Sequence, residues 1–212
     1  MVLLPDLLFI LLGLVIGSFL NVCIARLPAN ESIVFPSSRC PNCEKAIKPY
    51  DNIPIMSYLL LGGRCRSCKG AISWQYPVVE GLTALTFWIT FYLLGFQLKT
   101  VALLIFFSAI IVLIFIDLNH RILPDVITLP GTLVGLMLSL LAPVQDGTAR
   151  FASSLLGFQM KHPHLLSFLD SLIGALLCGG FLWLVAEAYL RIRKMEGLGF
   201  GDVKLMGMVG AF

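Results

Sequence analysis

Charge is scarce in this chain. Asp, Glu, Lys and Arg make up only 13% of its 212 residues, where a soluble domain carries about 25%. With 58% hydrophobic residues beside that deficit, an ordinary soluble globular domain is excluded and a membrane protein is indicated. The formal net charge of +3 is too small to attract nucleic acid. No Gly-Lys-Ser/Thr motif follows a strand pattern, which removes a nucleotide-binding loop. Met1 to Asp6 contains no Lys or Arg, and no small-x-small cleavage site follows cleanly. The first apolar run therefore lacks the marks of a cleaved signal peptide and reads as a retained span. No internal repeat and no low-complexity tract stands out.

What the chain has in quantity is apolar sequence. A span needs about 20 residues, each rising about 1.5 Å. Five runs approach this: roughly Leu7–Ala25, Pro77–Phe96, Thr100–Ile116, Val126–Leu141 and Ile173–Leu190. A sixth begins near Val203 and stops at Phe212, too short to cross, so the expectation is a chain cut inside a helix. The predicted fold class is an all-α polytopic membrane protein of about six spans, truncated at the C-terminus. The expected domains are a first span over 1–25, a cytoplasmic domain over 26–76 and a membrane-embedded domain over 77–212.

Lys and Arg set the orientation. With the N-terminus outside, 12 of the 15 basic residues face the cytoplasm, seven of them between Arg26 and Tyr76. Only Lys99, Arg150 and Lys161 lie on the other side.

The long hydrophilic loop carries Cys40-Pro41-Asn42-Cys43, then 21 residues, then Cys65-Arg66-Ser67-Cys68. Two Cys-x-x-Cys knuckles at this separation suit one tetrahedral zinc. A reducing cytoplasmic loop favours metal ligation over disulfides. A loop of this size with few aliphatic residues has no independent core, and a metal staple is the usual remedy. Short strands or turns are expected at each knuckle, with Lys69-Gly70 forming a tight turn. Cys23 and Cys178 lie in spans and read as small packing residues.

Polar residues at the membrane edge carry the remaining signal. Asp117 ends the third span, and Asp202 opens the sixth segment in Gly199-Phe200-Gly201-Asp202. Ionisable groups at this depth usually face a bundle interior. Two carboxylates in a partly dry site share a proton, and such a pair activates water without metal. Gly197, Gly199 and Gly201 are expected at positive φ, letting the backbone approach a neighbour. The plainer reading is an interfacial loop with Asp202 as a helix cap. Asp125 after Pro124 reads as a cap with a possible supporting role. Asp6 and Asp170 also read as caps, and Glu187 as the i,i+4 partner of Arg191. Asn21, an amide inside a span, is either interhelical glue or part of a site. Glu80, near the cytoplasmic end of the second span, is placed to join a site there. His162 and His164 read as solvated residues of an outside loop over 142–166, whose apolar patch Phe151–Met160 suits the membrane surface.

These segments resemble the bacterial type IV prepilin peptidases, also called leader peptidase/N-methyltransferases. The likeness runs nearly end to end. It includes Gly17-Ser18-Phe19-Leu20-Asn21-Val22, Arg26-Leu27-Pro28, Cys40-Pro41-x-Cys43 and Tyr50-Asp51-Asn52-Ile53-Pro54. It continues with Gly63-Arg64-Cys65-Arg66-x-Cys68, Tyr76-Pro77-Val78-Val79-Glu80, Ile116-Asp117, Leu123-Pro124-Asp125 and Glu196-Gly197-x-Gly199-x-Gly201-Asp202-x-Lys204. The resemblance implies a bifunctional enzyme of the bacterial inner membrane. It would cut the basic leader of prepilins or type II secretion pseudopilins, then methylate the new N-terminal amine with S-adenosylmethionine. By motif, Asp117 and Asp202 match the catalytic pair, and Cys40, Cys43, Cys65 and Cys68 the zinc tetrad of a methylation-linked domain. No fold for S-adenosylmethionine is visible in the sequence; Asn21 and Glu80 are the candidates for holding it. A non-catalytic membrane scaffold docking a partner through its knuckles is the alternative. A transporter is disfavoured by the lack of charge at mid-membrane depth.

Overall fold

The computed structural model describes residues 3–143, 162–195 and 199–212, and among these there is no β-strand. Seven α-helices follow in order: α1 (Leu3–Arg26), α2 (Met56–Leu60), α3 (Gln75–Leu94), α4 (Leu98–His120), α5 (Asp125–Leu141), α6 (Pro163–Arg193) and α7 (Phe200–Ala211). The helices α1, α3, α4 and α6 are long and apolar enough to cross a membrane. With 17 residues α5 is shorter, and α7 has 12. Against the expectation of about six spans, four of the described helices are long and apolar enough to cross, and α5 and α7 are shorter. Each run found in the sequence falls largely in one helix, although the second passes the end of α3 by Gly95 and Phe96 and the last ends one residue beyond α7. The apolar patch over 151–160 and Gly197 lie outside the described residues.

The chain divides into two compact units. One contains α1, the hydrophilic loop, α3 and Phe107–Arg121; the other contains Val101–Phe106 and the elements from Ile122 onward.

In the first unit α1 packs along α3. A Cβ on Gly13 would lie 2.5 Å from the Ala84 Cα, and one on Gly17 would lie 2.7 Å from the Glu80 Cα. Only glycine lets two helix backbones come this close, which is how helices associate where no hydrophobic effect drives them. Phe9 stacks on Phe91 at 4.0 Å, with Phe96 edge-on to both, and closes the far end. The buried hydroxyls of Thr83 and Thr90 each donate to the carbonyl four residues earlier at 2.7 Å, so neither is orphaned in an apolar setting. The opposite face of α1 leaves Leu4, Leu7, Leu8, Leu11 and Val15 more than half exposed. That stripe is costly in water and ordinary against lipid. Helix α4 ends where Arg121 turns left-handed at φ 55 and its N–H bonds the Asp117 carbonyl, a common C-terminal stop.

In the second unit α7 packs on α5 and α6. Gly131 faces Met208, Gly135 faces Phe212, and Gly174 meets Gly210 backbone to backbone. Ser171 Oγ donates to the Ala211 carbonyl, and the Phe106 ring lies 4.9 Å from Phe212.

Three cap assignments are corrected. Asp6 lies inside the first turn of α1, which starts at Leu3. Pro124, with its φ fixed, takes the cap position of α5, and Asp125 is already helical. Asp170 is interior to α6, because that helix begins at Pro163 rather than near 173. His162 and His164 also fall at this helix start, and a ring nitrogen of His164 lies 2.7 Å from the Leu140 carbonyl.

Replacing Gly17 by Ala should lower stability by about 1–3 kcal/mol, since its Cβ has no room. Gly180→Ala, with nothing within 4 Å of the added Cβ, should be neutral or slightly stabilising. Thermal unfolding in detergent compares the two.

Candidate functional site

The hydrophilic loop repeats itself. Arg39-Cys40-x-x-Cys43-x-x-Ala46-Ile47 returns 25 positions later as Arg64-Cys65-x-x-Cys68-x-x-Ala71-Ile72, and the structure folds both alike. Arg39 bridges Ala46, and Arg64 bridges Ala71, both antiparallel. Cys40 N–H bonds the Lys45 carbonyl and Cys65 N–H the Gly70 carbonyl, at 3.0 and 2.8 Å. Ile47 N–H reaches Ser38 O, and Ile72 N–H reaches Gly63 O. Glu44 and Lys69, one after each second cysteine, both turn left-handed at φ 56 and 58. The tight turn expected at Lys69-Gly70 has Lys69 as its left-handed residue. The absence of repeats read from the sequence is therefore corrected. Only four kinds of residue are shared, too sparse to notice until the turns superimpose.

The two turns bring four sulfurs together. All lie within 4.8 Å of one another, and Cys40 Sγ is 3.8 Å from Cys68 Sγ. A tetrahedron with metal–sulfur bonds of about 2.3 Å has edges of about 3.8 Å. The spacing fits four thiolates around one ion. Backbone N–H groups of Cys68 and Ser67 hold the Cys65 thiol down to about 6. For Cys68 the Gly70 N–H acts in the same direction, but desolvation and the neighbouring thiols outweigh it and push that thiol up to about 11.

The segment between the knuckles is tied to the second one. Arg66 grips both Asp51 carboxylate oxygens at 2.7–3.0 Å. The guanidinium holds the Asp51 carboxyl below the usual carboxylate range. Arg66 and Lys48 each lie 5.6 Å from the centre of the Tyr50 ring.

Two buried polar side chains join this domain to the helices. Asn21 is 3% exposed and donates to the carbonyls of Gly17 and Tyr76. It is the interhelical tie anticipated, anchoring the start of α3 to α1. Glu80, 6% exposed, accepts the Ile55 N–H on Oε2 at 2.7 Å. Ile55 sits at φ 57, ψ −48, a strained conformation for a β-branched residue. The Glu80 carboxylate clamps that turn.

Asp117 is exposed in the last turn of α4, in the first unit. Beside it, Asn119 donates to Gln75 Oε1 at 2.9 Å, linking this end of α4 to the start of α3. Asp202 is half-buried in the first turn of α7, in the second unit, and its N–H bonds the Gly199 carbonyl. Gly199 has φ −70 and Gly201 is helical, so neither shows the expected positive φ. Gly201 instead permits contact: a Cβ there would lie 3.0 Å from the Leu123 Cβ. Asp125 is not a cap but an ion-pair partner. Both its oxygens accept from Lys204 Nζ at 2.7 Å, and that ammonium also lies 5.1 Å from the centre of the Phe200 ring. The motif Gly201-Asp202-x-Lys204 contains this lysine, but nothing local in the sequence points to its partner 79 positions away. The expected Glu187–Arg191 pair is present at 2.8 Å.

Comparison with known proteins finds relatives for both halves of the chain. Residues 11–94 match the bacterial peptidase A24 N-terminal domain, and residues 103–212 match the type IV leader peptidase family. The chain is 41% identical over 203 residues to a prepilin leader peptidase/N-methyltransferase of Myxococcus xanthus, covering 95% of this chain and 54% of that protein. It is 35% identical over 226 residues to the protein of that name from Pseudomonas aeruginosa, covering 96% and 71%. A Neisseria gonorrhoeae relative of the same name is 35% identical over 225 residues, covering 95% and 71%. The chain therefore spans about half the length of the first of these relatives and about seven-tenths of the other two. No solved structure matches it. With both of its halves matched and both knuckles in place, the chain belongs to the type IV leader peptidase family.

Proposed function

We propose that this protein cleaves prepilins or pseudopilins at the cytoplasmic face of a bacterial inner membrane, using Asp117 and Asp202. The match of residues 103–212 to the leader peptidases, with Asp117 closing α4 and Asp202 opening α7, carries the proposal. One carboxylate takes a proton from water, and its protonated partner polarises the scissile carbonyl; the roles follow from two acids that do not ionise together. Lys204 and Asp125 position the first turn of α7, and Gly201 against Leu123 sets its distance from the start of α5. The knuckle domain over 26–76 and the membrane domain over 77–212 divide the work.

The second activity is methylation of the new N-terminal amine, in keeping with the names of the relatives. S-adenosylmethionine supplies an electrophilic methyl group when bound. The four thiolates hold zinc, and its role is structural, because four protein ligands leave no position for water.

Asp117→Asn and Asp202→Asn should each reduce prepilin cleavage by at least about 10²-fold while zinc content stays unchanged. Cleavage at wild-type rate by either variant would overturn the two-aspartate mechanism. Cys43→Ser should lose the stoichiometric zinc measured by elemental analysis, with thermal stability falling alongside it. For the Arg66–Asp51 pair, the folded carboxyl titrates below its unfolded value. Its stabilisation is then complete above about pH 5 and fades below about pH 4. Asp51→Asn should unfold at lower temperature than wild type at neutral pH, and the two melting curves should converge in acid.

A further inference from the structure

A cavity of about 330 Å³ opens inside the first unit, between the knuckles, α2 and the start of α3. Its volume falls at the lower end of the range for small-molecule sites, about 300–1,000 Å³. Its walls combine apolar surface with charge of both signs. Glu80 is the acid from the α3 side, and Arg39 and Lys45 are the bases from the first knuckle. The Asp51–Arg66 pair also lines it, but those charges answer each other. Tyr58 and Tyr76 contribute aromatic rings.

Glu80 is the informative residue. A carboxylate that is 6% exposed near a membrane helix end is expensive, and such groups usually mark a site. Its position is fixed twice: Ile55 N–H donates to it at 2.7 Å, and Ser18 hydrogen-bonds it from α1. Holding a strained turn does not require a buried charge, since a neutral amide oxygen accepts an N–H equally well. A fixed carboxylate with aromatic faces nearby is what a buried organic cation calls for. Bases elsewhere in the same cavity suit a ligand that also bears an anionic group.

We propose that this cavity binds S-adenosylmethionine, with Glu80 facing its sulfonium end and Arg39 and Lys45 taking its carboxylate. The placement rests on the methyl-transfer reading above and adds where in this chain the donor sits. It also gives the knuckles a second task. By converging on one ion they form one wall of the donor site, so the metal is linked to methylation without touching the reacting atoms.

The experiment compares S-adenosylmethionine with S-adenosylhomocysteine, which has the same groups but no charge on sulfur. Calorimetric titration of the full chain with zinc bound, in detergent, gives both dissociation constants. Glu80→Gln keeps an acceptor for Ile55 N–H and removes only the charge. It should weaken S-adenosylmethionine at least about tenfold while changing S-adenosylhomocysteine by less than about threefold. Leu61→Trp, which fills the cavity without altering either charge, should weaken both ligands alike. Zinc content and prepilin cleavage, measured on the same samples, establish that the variants are folded. If wild type binds both ligands and both variants bind them as tightly, the placement is wrong and the methyl-transfer reading stands. Equal weakening of both ligands by Glu80→Gln also overturns it, since that is the mark of a structural role. If wild type binds neither ligand and methylates nothing while still cleaving, the methyl-transfer reading fails and the placement fails with it.

Discussion

Lipid offers no hydrogen bonds, and that constraint shapes the long apolar helices of this protein. A polar group within a span has to find its partner in the chain. Thr83 and Thr90 turn back on their own helix, Asn21 crosses to the start of α3, and Ser171 crosses to the end of α7. Gly13 and Gly17 serve the same end, because they bring α1 and α3 close enough for such short bonds to form. Groups that carry full charge are pushed to the helix ends. Asp117, Asp125, Asp202 and Lys204 all lie within a turn or so of a terminus.

The hydrophilic loop obeys a different rule. It sits outside the apolar runs and has too few aliphatic residues to bury a core. Four sulfurs within 4.8 Å take the place of that core, and the Arg66–Asp51 pair secures the segment between them. Its two anchors to the helices, Asn21 and Glu80, are the polar residues that a span tolerates least. The domain is thus fixed to the bundle through the groups that are most costly to leave unpaired.

Much of this was legible from periodic and local signals. Apolar runs marked the helices because lipid filters for little else, and the spacing of Cys40, Cys43, Cys65 and Cys68 marked the metal cluster because ligand geometry fixes it. Glu80 and Asn21 drew notice as misfits within spans. What escaped were pairings over distance and choices between similar local signals. Lys204 finds Asp125 across 79 positions, and Glu80 finds Ile55 across 25; no periodicity carries such information. Asp6, Asp125 and Asp170 looked like caps by residue type, but a preceding proline or an extra helical turn moved each inside. Glycines before Asp202 suggested a left-handed turn, whereas the tight fit of Gly201 against Leu123 explains that position better. The knuckle repeat shares only Arg, Cys, Ala and Ile at matching places, and the backbone shows what those few letters concealed.

The length of α6 has a further consequence. At 31 residues it measures about 46 Å, against a hydrocarbon layer of about 30 Å. Even at about 40°, the upper limit of common helix tilts, its projection on the membrane normal is still about 35 Å. Part of it must stand clear of the lipid, and the charged turns with Glu187, Arg191 and Arg193 are the part suited to do so.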